Sequence, residues 1–69
     1  MMYRGQEING AEARMMNYMR VAQSRGQRMN LTADTKYPDY RTCEELVRKG
    51  LLTKASEVCG VAFYEATNG

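Results

Sequence analysis

Lys36, Tyr37, Tyr40 and Arg41 crowd around Pro38, the single proline of the chain. A helix that opens at Asp39 puts its free first-turn amides and its positive end beside two cations and two phenols. Such a set can hold a phosphate, because the cations supply charge while amides and hydroxyls supply directed hydrogen bonds. Arg41 can also reach a base edge, with Tyr37 or Tyr40 on a backbone oxygen. The plainer use of the same residues is a solvated loop whose tyrosines cover part of a small core. Lys54, and Arg25 and Arg28 on either side of Gly26, can extend a polyanion-facing surface or form the solvated face that any soluble domain shows.

Other chemistry is poorly supplied. The chain has no His and two Cys, so a four-ligand metal site and the usual acid–base constellations lack their materials. Cys43 falls on an apolar helical face and has no imidazole to activate it, which makes it a small hydrophobe rather than a nucleophile. Fifteen residues separate it from Cys59, a spacing with no framework pattern, and both are expected as thiols. No enzyme, metal or cofactor is expected. The first residues, Met-Met-Tyr-Arg-Gly-Gln-Glu, lack the apolar run of a signal peptide, and no stretch approaches the ~20 apolar residues of a membrane span. The expected location is the cytoplasm, with no membrane partner.

A chain of 69 residues makes one domain, 1–69, with a thin core, since so short a chain buries only about 60% of its unfolded surface. Its 43% hydrophobic and 26% charged residues are those of an ordered globule. Net charge is +2, divided unevenly: residues 1–36 carry six cations against three acids, and residues 37–69 four against five. A polyanion-facing surface therefore has to draw on the first half.

The elements that position these residues are legible. Asn9 and Glu12 form a capping box that starts a helix over 10–25, closed by Ser24-Arg25-Gly26. Ile8, Ala11, Met15, Tyr18, Met19 and Ala22 give it one apolar stripe, while Met16 and Val21 lie off the stripe as candidate partner contacts or a dimer seam. Met29 and Leu31, alternating with Arg28, Asn30 and Thr32, suggest a short strand. Asp34 to Asp39 reads as a loop, because Pro38 drives Tyr37 out of the helical region. A second helix runs from about Asp39 to Lys49, capped by Asp39 or by Thr42 with Glu45, its stripe Cys43, Leu46, Val47 and Leu51. Leu51–Lys54 and Gly60–Thr67 are extended segments around a turn at Ser56–Gly60. Met15, Met19, Leu46, Val47, Leu51 and Phe63 are the expected core.

The order helix, strand, helix, hairpin, together with Leu46-Val47-Arg48-Lys49-Gly50-Leu51-Leu52-Thr53 and Phe63-Tyr64-Glu65-Ala66-Thr67-Asn68-Gly69, resembles a reduced winged helix. In that family a recognition helix ends on a basic pair and Gly, two aliphatics open the wing, and an aromatic, Thr and Gly close it. The resemblance covers about the last 30 residues. Family members usually carry two helices between the first helix and the wing, whereas Gly26 to Pro38 leaves no room for the extra one.

The resemblance implies an α+β winged-helix domain and a small regulator that binds double-stranded DNA, of a size typical of phage or other mobile elements. Its contacts would be Lys36, Tyr37, Tyr40, Arg41, Lys54, Arg25 and Arg28. A rival reading keeps the scaffold but binds a host or regulatory protein. Glu44 and Glu45 on the solvent side of the second helix favour that rival, since phosphates repel them. A homodimer that buries spare apolar residues is compatible with either.

Overall fold

The structure, a computed structural model, describes residues 2–67. Asn68 and Gly69, which end the closing segment of the resemblance, lie outside the described residues. The elements are β1 (Met2–Tyr3), β2 (Gln6–Glu7), α1 (Gly10–Ser24), β3 (Met29–Thr32), α2 (Pro38–Arg48), β4 (Leu52–Val58) and β5 (Val61–Ala66). The result is a small α+β domain in which both helices pack against one antiparallel sheet of order β3-β5-β4.

Local chemistry sets the helix ends. The Asn9 side chain accepts from the Glu12 amide at 2.8 Å, and the Asn9 amide donates to the Glu12 carboxylate at 2.9 Å, the reciprocal pair expected at the start of α1. Both helices close on a glycine with positive φ. After α1, Gly26 donates to Gln23 O and Gln27 to Ala22 O; after α2, Gly50 donates to Val47 O and Leu51 to Leu46 O. Each pair satisfies two carbonyls that the helix leaves open, in a backbone shape that β-carbons resist.

The start of α2 corrects the sequence reading, since the cap is neither Asp39 nor Thr42. Tyr37 takes the cap position without a side-chain bond, and Pro38 is the first helical residue. A proline fits there because its ring already holds the helical φ and the first turn has no use for its missing N–H.

The hairpin also differs from expectation. β4 runs on to Val58, past an irregularity between Lys54 and Ser56, and turns through just Cys59 and Gly60, with Val58 paired to Val61. Within β5, Ala62 and Tyr64 turn toward the helices and are buried, while Phe63 sits on the opposite face and is only half-buried. Tyr64 therefore takes the core place expected for Phe63.

The core comprises Ile8, Met16, Met19, Met29, Cys43, Leu46, Leu51, Leu52, Ala62 and Tyr64. Met19, Leu46 and Leu51 are core as expected, and Met15 and Val47 pack at its edge. Met16, expected to be exposed, is 3% accessible. Residues 2–7 form a short hairpin, pairing Met2 with Glu7 and Tyr3 with Gln6, that carries Ile8 into the core.

Met16 is buried because long-range bonds fix the rotation of α1. Lys49 Nζ, from the residue that caps the end of α2, meets both Glu12 carboxylate oxygens, at 2.9 and 3.0 Å, and also donates to Glu7 O at 2.8 Å. At the far end Gln23 Oε1 accepts from the Ala66 amide at 2.7 Å. At about 100° per residue these two anchors turn the arc of Glu12, Met16, Met19 and Gln23 inward. The neighbouring arc of Ala11, Met15, Tyr18 and Ala22 is left at the side.

Candidate interaction surface

That displaced arc lines a groove of about 730 Å³ between α1, β3 and the start of α2. Its α1 wall is Ala11, Arg14, Met15, Tyr18 and Ala22; the opposite wall is Gln27 to Leu31, with Asp39 and Thr42 at the α2 end. Tyr18 is 63% exposed, although it belongs to the stripe that the sequence assigns to the core. The fold thus turns a buried carboxylate inward and an aromatic ring outward. Thr42 also lines a smaller recess, with Asn9, Glu12, Pro38, Arg41 and Glu45, so Arg41 stands at one end of the same surface.

The seven residues selected from sequence divide into two groups. Arg28 lines the groove, Arg25 follows the C-terminal end of α1 as its cap, and Arg41 borders the adjoining recess. Arg28 lies 3.5 Å from the Glu65 carboxylate, a loose pair between exposed side chains. Lys36 and Tyr37 occupy the turn before α2, where Lys36 is 3.9 Å from Asp34 and lies over the Tyr37 ring at 5.2 Å.

Tyr40 and Lys54 belong elsewhere, on the β4 side of α2. Tyr40 Oη donates to Glu44 at 2.8 Å, and Lys54 Nζ lies 3.0 Å from Glu44, 2.6 Å from Glu57 and 5.6 Å from the centre of the Tyr40 ring. Hydrogen bonds to Glu57 and Glu44 raise the Lys54 pKa. Burial pushes the Glu44 carboxyl up, but Tyr40 and Lys54 outweigh it and leave the group below its ordinary value. Lys54 is thereby occupied within the fold, and the Glu44 charge is answered there too. Glu45 is bonded by Arg48 in the same way.

Four arginines, Arg14, Arg20, Arg25 and Arg41, make no ion pair with any described residue. Sequence reasoning passed over Arg14 and Tyr18. Tyr18 stands on the stripe and Arg14 beside it, and the rotation of α1, set by Lys49 and Ala66, turns them toward the groove.

Burial pushes the Cys43 thiol up to about 12, with Asp39 and Glu44 adding to the effect, so it is no thiolate at neutral pH. Both cysteines are free. Among the described residues, no group of Cys, Asp and Glu gathers as a metal site, and no helix is long and apolar enough to cross a membrane. No family model, curated protein or solved structure matches the chain.

Proposed function

We propose that this protein is a non-catalytic interaction module on a reduced winged-helix scaffold, acting in the cytoplasm, and that it binds another protein through the groove beside α1. The observation that carries the reading is the row Ala11, Met15, Tyr18 and Ala22 along the groove, with Ala11 and Tyr18 exposed and Met15 and Ala22 half-buried, which the fold leaves at the side while it buries Glu12. The scaffold reading is supported by the position of α2 between β3 and β4 and by the strand order β3-β5-β4.

A second reading, a small phage-type regulator bound to double-stranded DNA, draws support from the four unpaired arginines and from the exposure of Lys36, Tyr37 and Arg41. Counting against it, α2 carries Asp39, Glu44 and Glu45 against two arginines, and Lys54 is held by two carboxylates.

Fluorescence anisotropy with a labelled duplex of about 20 base pairs, at about 50 and 200 mM salt, separates the two. The interaction-module reading expects no complex at the higher salt. A complex that persists there, and that Arg25→Ala and Arg41→Ala each weaken, would establish the DNA reading in its place.

A further inference from the structure

The groove is selective in both shape and charge. Along α1 the row Ala11, Met15, Tyr18, Ala22 has spacings of four, three and four, the alternation by which one helix seats another. From Ala11 to Ala22 it runs about 16 Å, or three turns. Opposite stand Gln27, Arg28 and Asn30 with the buried Met29 and the half-buried Leu31 between them, so an entering side chain meets an apolar floor and a mixed far wall. A volume of about 730 Å³ holds several side chains and excludes a whole helix, which must therefore ride along the opening.

The rim is cationic. Arg14, which has no ion pair among the described residues, and Arg28, in its loose pair with Glu65, line it, against Asp39 as the one acid in the lining. Between Gly10 and Ser24 the single acid is Glu12, and it is buried on Lys49, so the exposed charges of α1 are those of Arg14 and Arg20. A second copy of the chain is a poorer occupant, because α1 against α1 would bring Arg14 and Arg28 of both copies together, with Asp39 the one lining acid to answer them.

We propose that the groove takes an acidic amphipathic helix of a partner protein, about three turns long, whose apolar side chains enter between α1 and β3 and whose flanking carboxylates meet Arg14 and Arg28. The proposal rests on the interaction-module reading and names the chemistry of its partner. Recognition divides between the two features: the apolar row supplies contact area, and the arginines select the sign of the partner.

The test uses the full chain and three labelled synthetic helical peptides of about five turns. One carries Leu at heptad spacing with Glu on the flanks, the second replaces Glu by Lys, and the third replaces Leu by Ser. The protein variants are Tyr18→Ala and the double variant Arg14→Glu/Arg28→Glu, each first shown by its melting curve to be folded. The Leu/Glu peptide is expected to bind wild type at least about tenfold more tightly than either other peptide, and the double variant to prefer the Lys peptide by a similar factor. Tyr18→Ala should weaken the Leu/Glu peptide about tenfold at unchanged melting temperature.

Equal or tighter binding of the Lys peptide to wild type would overturn the acidic partner while leaving the interaction module in place. Equal binding of the Ser peptide would overturn the seated helix and reduce the contact to charge. If no peptide binds, the proposal falls, and the duplex titration then decides whether the interaction-module reading falls with it.

Discussion

At the residue scale the pair Glu12–Lys49 decides most. The Glu12 side chain is 3% exposed and that of Lys49 17%, and their 2.9 Å contact ties the start of α1 to the end of α2. Burial pushes the Glu12 carboxyl up, but the Asn9 amide and Lys49 more than offset this and hold it below its ordinary value of 4.5. A carboxyl lowered in the folded state adds stability that is present above the unfolded value and lost as pH falls through the folded one. Lys49→Ala leaves the carboxylate buried without its cation, at an expected cost of about 3 kcal/mol at pH 7. In that variant protonation relieves Glu12, so the deficit against wild type should shrink between pH 7 and pH 4. Urea unfolding of both proteins at the two pH values checks this, and a deficit that does not change with pH would assign the loss to packing alone.

At the element scale, what could be read from the sequence was what neighbours in the chain decide. The Asn9–Glu12 box and the two glycine closures depend on residues within one helical turn, and both appear as expected. The rotation of α1 was not legible, because Lys49 and Ala66 set it from 37 and 43 residues away. The phase of β5 is likewise a matter of register with β3 and β4, and Phe63 and Tyr64 alone carry no sign of which points inward. The hairpin of residues 2–7 has strands of two residues, too short for any periodic signal. Of the residues that line the groove, Arg28 was singled out from its charge, whereas Tyr18 was placed on the buried stripe.

Two element-scale outcomes follow. Met16→Ala should cost about 2–4 kcal/mol and Tyr18→Ala under about 1 kcal/mol, because one side chain fills the core and the other lies in the groove. Chemical denaturation of the two variants checks the rotation of α1, and the reverse ranking would contradict it. At the hairpin turn Cys59 has a φ of 52°, a region that a β-carbon disfavours and Asn tolerates. Cys59→Asn, next to Gly60, should therefore stabilise the domain by about 1 kcal/mol, visible as a higher melting temperature.

At the scale of the whole molecule, extents of 34 × 27 × 17 Å describe one layer of helices on one three-stranded sheet. Two layers cover one side of α1 and have nothing left for the next. The rotation of α1 leaves part of its apolar stripe outside those layers, and the groove is where that part emerges. Charge follows the same division: the described acids and cations of α2 and β4 largely answer one another, while Arg14 and Arg20 of α1 make no ion pair with a described residue. A partner helix seated there would supply the missing layer.

The most direct measurement of this account is a titration of the ¹⁵N-labelled full chain with the Leu/Glu helical peptide, followed by amide chemical shifts. The account predicts changes concentrated at Ala11, Met15, Tyr18 and Ala22 on α1 and at Met29 to Leu31 on β3, with Lys54 and Glu57 unmoved. Changes confined to Lys36, Tyr37 and Arg41, with the α1 row silent, would contradict it.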